Sequence, residues 1–119
     1  MDNQRVLVSE RVRKINGSFA FIEHHFLQDG YWSSLNHQEL VMYFFLVMVG
    51  DRSGVSYYSY DKICSFLSFT LEEYIDVRNA LIDKDLIAFD GARFQVLSLP
   101  VRATQSPPLF KDRKRDGQA

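Results

Sequence analysis

The sequence predicts an α+β domain in which three helices are followed by a C-terminal β-hairpin. Three observations predict it. Asn36 and Thr70 each stand three residues before a glutamate, Glu39 and Glu73, which is the spacing of a reciprocal helix N-cap. The first cap precedes the long apolar run "LVMYFFLVMV" at 40–49. Asp90-Gly91, a favoured hairpin turn, separates "LIAF" from the alternating "ARFQVLSL".

Taken in order, the first thirty residues read as extended or β-rich. "VRKINGSFAFI" sets Asn16-Gly17, a two-residue hairpin turn, between Val12/Ile15 and Phe19/Phe21. Asp29-Gly30 breaks that regularity. The first helix starts at the Asn36 cap and stops at Gly50, a good residue for the position just past a helix end. Its ten consecutive apolar residues leave no polar face. Either other elements wrap it, as a central core helix, or a partner subunit does.

A turn, a short strand-like "VSYY" and a second helix follow. Ser59 is the expected cap of that helix, with Lys62 on its outer face and Ile63, Phe66 and Leu67 inward. "SF" at 68–69 gives a tight connection to the third helix, which Thr70 caps and which ends near Lys84. The strands 86–89 and 92–99 then pair across Asp90-Gly91, and Pro100 ends them.

Helix, short strand, helix, tight turn, helix, strand, turn, strand is the element order of a winged helix-turn-helix domain. The division expected is an N-terminal extended, hairpin-forming segment at 1–33, the winged helix-turn-helix at 34–101, and a flexible basic tail at 102–119 with Pro107-Pro108. Leu81, five residues before Leu86-Ile87, resembles the "L…kGLI" end of many bacterial winged-helix regulators. Asp85 stands where Gly is usual there.

A wider likeness covers residues 11–101. "RVRKINGSFAFIEHHFLQDGYW", "LVMYFFLVMVGDRSGVSYYSYDKIC" and "ARFQVLSLP" together resemble small bacterial helix-turn-helix proteins found near insertion sequences and other mobile elements. More distantly the chain is similar to the N-terminal winged-helix domains of replication-initiation and replisome-organiser proteins. The resemblance implies a DNA-associated role in regulation or replication on a mobile element. It brings no catalytic residues.

Composition bounds the function. The chain has 119 residues, 46% hydrophobic and 24% charged, enough to bury one core. A net charge of -1 gives no global attraction for nucleic acid. The distribution is uneven: residues 1–14 and 102–116 are net basic, whereas 71–85 sets Arg78 and Lys84 against Glu72, Glu73, Asp76, Asp83 and Asp85. The single Cys64 excludes an intrachain disulfide and fits a reducing compartment. The ten-residue apolar run is about half of a membrane span. A cytoplasmic protein is expected.

The third helix poses the functional question. At about 100° per residue, Tyr74, Val77 and Leu81 share the inward face. Arg78 beside them reads as a structural Arg whose stem covers the core and whose fork binds a carboxylate. The opposite face carries Glu72, Ile75, Asp76, Asn79, Ile82 and Asp83, with no Arg or Lys. Asn79 could pair with adenine and a carboxylate with cytosine, but affinity comes mainly from neutralising phosphates. Carboxylates in the first turn also serve the cap and the helix dipole.

Double-stranded DNA, if it is the partner, therefore draws on cations elsewhere. The candidates are Lys62, Arg93 in the hairpin, Arg52, the Arg11, Arg13, Lys14 cluster and the 111–115 tail, with Tyr57, Tyr58 and Tyr60 donating to phosphates. In the alternative, Glu72, Ile75, Asp76 and Ile82 form the contact face for a protein partner. A homodimer is expected from the all-round apolar first helix and the aromatic N-terminal segment.

Nothing in the chain points to catalysis. His24 and His25 are adjacent and would diverge on a strand, His37 stands apart, and no metal-ligand spacing accompanies them. No phosphate loop, nucleophile elbow or Cys–His pair is present. The sequence reads as a non-enzyme that needs neither cofactor nor metal.

Overall fold

In the computed structural model, residues 5–101 and residue 103 are described. Helix α1 spans His37–Val49, and its start is the reciprocal cap. Asn36 Oδ1 accepts the Glu39 N–H at 2.8 Å, and Glu39 Oε1 accepts the Asn36 N–H at 3.1 Å. Leu40, Met42, Tyr43 and Leu46 are buried, Phe44, Phe45 and Val47 partly so, and Val41 and Met48 face outward. The apolar helix is thus mainly a core helix, wrapped by its own chain. Gly50 ends it, though not in the left-handed conformation expected of a residue past a helix end. Its φ is -71, and a Cβ there would sit tightly, 3.1 Å from the Gly54 backbone.

Helices α2 (Tyr60–Leu67) and α3 (Leu71–Asp83) are joined by a three-residue turn. Ser68 turns the chain with φ 58, and the Phe69 N–H donates to the Cys64 carbonyl at 3.0 Å. Thr70 and Glu73 form the second reciprocal cap. Tyr74, Val77 and Leu81 are buried, as the helical spacing requires. Two expectations for α2 are corrected. Ser59 does occupy its N-cap, but the hydroxyl donates to Asp61 at 2.6 Å instead of accepting from the backbone. Phe66 is 65% exposed and lies against Phe45 and Tyr58. A two-turn helix has room for one inward stripe, and Ile63 and Leu67, four apart, take it.

The C-terminus of α3 carries a second left-handed residue. Asp85 has φ 63, the Leu86 N–H donates to the Leu81 carbonyl at 3.1 Å and the Asp85 N–H to Ile82 at 2.9 Å. This is the paired bonding of a Schellman end, with Leu81 and Leu86 both buried beneath it. Asp85 therefore holds the backbone conformation that glycine adopts without penalty.

Strands β1 (Val55–Ser56), β2 (Ile87–Phe89) and β3 (Phe94–Val96) form one antiparallel sheet in the order β1-β3-β2. Ser56 pairs with Phe94 and Phe89 with Phe94, so the fully buried Phe94 is central. The strands are shorter than the sequence suggested, because Asp90 begins the turn early: its Oδ1 accepts the N–H groups of Ala92 and Arg93. Among the described residues, three α-helices with a small three-stranded antiparallel sheet make an α+β fold compatible with a winged helix.

The β-rich N-terminal extension is not found. Among the described residues before α1 there is no strand; short 3-10 turns occur at Ser9–Arg11 and His24–Leu27. Gly17 does turn the chain, with φ 111, but Val12, Ile15, Phe19 and Phe21 all stay exposed. A lone two-stranded hairpin is marginal, and this one has no sheet to join or face to bury. From Phe26 onward the segment enters the core. Phe26 stacks on Tyr43 at 5.0 Å, and the buried Tyr31 donates its hydroxyl to the Pro100 carbonyl. The basic tail expected at 102–119 lies outside the described residues except for Ala103, which packs on the core.

Candidate nucleic-acid interface

The sheet register divides the expected contact residues between two ends. At one end, Gly54 lies against the end of β3: the Val96 N–H donates to its carbonyl at 2.9 Å. Here a groove of about 780 Å³ opens between residues 17–23 and the flank of α1 and β3, with Arg52 on its rim. Burial, reinforced by Glu23, pushes the Tyr43 hydroxyl in its wall up to about 12, so that phenol stays neutral. Arg11, Arg13 and Lys14 are exposed on the chain leading to this groove.

At the other end, the last residues of β1 run into Tyr57, Tyr58 and the start of α2, beside the hairpin turn. A hollow of about 430 Å³ lies at this junction, walled by tyrosines 57, 58, 60 and 74, Leu71, Ile75 and Phe89 and floored by Arg78. The half-buried Arg78 guanidinium stands 5.5 Å from the Tyr74 ring centre and 5.2 Å from that of Phe89. Contacts of this kind attract a guanidinium to aromatic faces. Its fork does not bind a carboxylate, as the sequence suggested. Instead its Nε and Nη2 donate to Asn79 Oδ1 at 3.2 and 3.1 Å. Asn79 has thereby engaged the oxygen that bidentate pairing with adenine would need.

Arg93 reaches the same junction but is tethered. Its guanidinium meets Asp90 Oδ2 at 2.9 Å through both Nε and Nη2. The backbone N–H groups of Arg93 and Ala92, with the guanidinium behind them, hold the Asp90 carboxyl down at about 2. The Asp90 carboxylate, with a smaller part from nearby Tyr57, raises the arginine above its ordinary value. Both members of the pair are exposed, so it is worth little and can be shared with an incoming anion. Lys62 is exposed on the first turn of α2.

The outer face of α3 is acidic as built. Glu72, Asp76, Asn79 and Asp83 are exposed, with Ile75 and Ile82 between them just over one-third exposed. Lys84 does not relieve this charge, because it is buried against Glu39. Among the described residues, then, the junction brings together Tyr58, Tyr60, Arg93 and, through Arg78, Asn79. Arg52 stands at the opposite end of the sheet.

Sequence reasoning named the tyrosines but missed Phe89 and Tyr74 as walls of the hollow and Arg78 as its floor. The one available signal was alternation: Ile87 and Phe89 point to the same face of β2, toward α3. Elsewhere, His25 pairs with Asp29 at 3.3 Å in a 3-10 turn rather than on a strand. No group of three or more potential metal ligands occurs among the described residues. Among the same residues no helix is long and apolar enough to cross a membrane. Comparison with family models, curated proteins and solved structures gave no significant match.

Proposed function

We propose that the chain is a winged helix-turn-helix protein that contacts double-stranded DNA through phosphates more than through bases. The observation that carries this reading is the convergence of Tyr57, Tyr58, Tyr60, Arg78 and Arg93 where α2, α3 and the β2–β3 hairpin meet. Phenolic hydroxyls and guanidinium forks suit phosphate oxygens, and the hairpin lies beside them as a wing would. Strand order β1-β3-β2, with β1 supplied from between the first two helices, supports the winged-helix part. The biological setting we propose, regulation or replication on a mobile element in the cytoplasm, rests on the sequence resemblance of residues 11–101 alone.

Gel-shift titration of random duplex DNA tests the reading. Binding is expected at low salt, falling steeply as salt rises and dropping when Lys62 and Arg93 become Ala. Absence of a shift at micromolar protein and low salt would refute it. The homodimer belongs to the same proposal, with Val41, Met48, Phe19 and Phe21 as apolar surface that association would cover. A monomer mass by light scattering at high concentration would remove it.

One observation favours a second reading. The exposed face of α3 carries Glu72, Asp76 and Asp83 around Ile75 and Ile82 without a cation, which suits a basic protein partner better than a phosphate backbone. Reversing charge with Glu72→Lys and Asp76→Lys separates the two. Under the DNA reading the shift is kept or strengthened, whereas under the partner reading no DNA is bound and the reversal abolishes capture of the partner.

A further inference from the structure

We infer that the hollow between α2, α3 and the β2–β3 hairpin is a binding site for one unpaired nucleotide of a nucleic acid, its base stacked on tyrosine rings and its phosphate at Arg78. The inference rests on the nucleic-acid reading above and gives it a substrate class: single-stranded segments or frayed ends in preference to blunt duplex.

Charge decides first what the hollow can hold. Arg78 is half-buried, and among the described residues it pairs with no carboxylate. Two of its N–H groups go to the neutral Asn79 amide, which leaves the positive charge uncompensated. An aromatic cage without an internal cation would suit an ammonium group. This one contains its own guanidinium, so a lysine or methylated lysine would meet like charge. The ligand is therefore anionic, and a phosphate matches the fork.

Shape and exposure decide the rest. The volume of about 430 Å³ falls within the range of small-ligand sites. Tyr57 and Tyr60 are 69% and 54% exposed, large rings left in water at the mouth of the hollow. Such rings form a platform on which any base can stack. A base inside a duplex has both faces covered by its neighbours, so only an unpaired one can use the platform. Gly91 and Ala92 at the hairpin tip carry no bulky side chain, and a Cβ at Gly91 would meet nothing within 4 Å, which leaves a path for the sugar-phosphate chain.

Fluorescence anisotropy tests this with the full chain, using a labelled oligothymidine single strand and a labelled blunt duplex of equal length at the same salt. The single strand is expected to bind at least ~10-fold more tightly, and Tyr57→Ala with Tyr60→Ala to weaken it by ~10-fold or more, a larger factor than the loss of duplex affinity. Both tyrosines lie outside the core, so thermal unfolding should move little. Arg78→Lys keeps charge and stem but loses the fork, and is expected to weaken single-strand binding by a larger factor than duplex binding. Equal affinity for the two probes, with the tyrosine changes weakening both alike, overturns the inference and leaves the duplex-phosphate reading standing. Failure to bind either probe overturns both. Binding of a tyrosine-phosphorylated peptide that depends on Arg78, with no binding of oligothymidine, overturns the inference and makes the hollow a peptide-anion site.

Discussion

Lys84 Nζ stands 2.8 Å from Glu39 Oε1, joining the C-terminus of α3 to the first turn of α1 across 45 residues of sequence. Each side chain is only 10% exposed, and Nζ also donates to the Ser34 carbonyl at 2.6 Å. Glu39 is at the same time the carboxylate of the α1 cap. One buried anion thus fixes the start of α1, the end of α3 and the segment leading into them. Removing the lysine alone leaves that anion buried without its partner, so Lys84→Ala should cost about 3–5 kcal/mol in urea unfolding. Glu39→Gln combined with Lys84→Met removes both charges while glutamine keeps the cap, and should recover much of the loss. A cost below about 1 kcal/mol for Lys84→Ala would show that the pair does not hold the helices together.

Asp85→Gly should stabilise the protein. Asp85 carries φ 63 at the close of α3, where glycine meets no Cβ penalty and aspartate does. Its side chain is exposed, so nothing is lost on removing it. The expected gain is about 0.5–1 kcal/mol, less the added entropy of glycine in the unfolded chain. A rise in thermal midpoint of a few degrees checks it, and a fall would mean that the carboxylate has an unseen role.

Gly54→Ala should do the reverse. Gly54 has φ 85, and a Cβ there would lie 2.7 Å from the Val96 carbonyl oxygen. Backbone strain and a clash with the sheet act together, because the Val96 N–H bonds the Gly54 carbonyl from the same strand. A loss of at least about 2 kcal/mol is expected, with weakened protection of the Val96 amide in hydrogen exchange. Retention of full stability would mean that the loop and β3 separate easily.

Local rules made the helices legible and tertiary choices hid the rest. Asn36–Glu39 and Thr70–Glu73 are four-residue signals whose bonds close within one turn, so they could be read directly. The Asn16-Gly17 hairpin was equally clear as a local signal and did not form strands, because no sheet edge receives Val12 or Phe19. Lys84 looked like an ordinary residue at a helix end. Its partner Glu39 lies far away in sequence, and no periodicity connects them. The same holds for the hollow: Tyr60, Arg78 and Phe89 come from three elements, and only their packing places them around one space.

The hairpin turn should carry an acid-sensitive contribution to stability. The Asp90 carboxylate accepts the backbone N–H groups of Arg93 and Ala92 and faces the Arg93 guanidinium, which lowers it from 3.8 to about 2. The folded state therefore favours the charged form more than the unfolded chain does. The contribution is fully present above about pH 4 and is lost as pH falls through about 2. Asparagine at this position keeps an acceptor for the turn but has no charge to lose. The gap in thermal midpoint between the native chain and Asp90→Asn should accordingly be constant from pH 7 to about 5 and close as pH approaches 2. A gap that stays constant down to pH 2 would mean that Asp90 holds the turn by shape alone, and that Arg93 is available to a phosphate without first giving up a counter-ion.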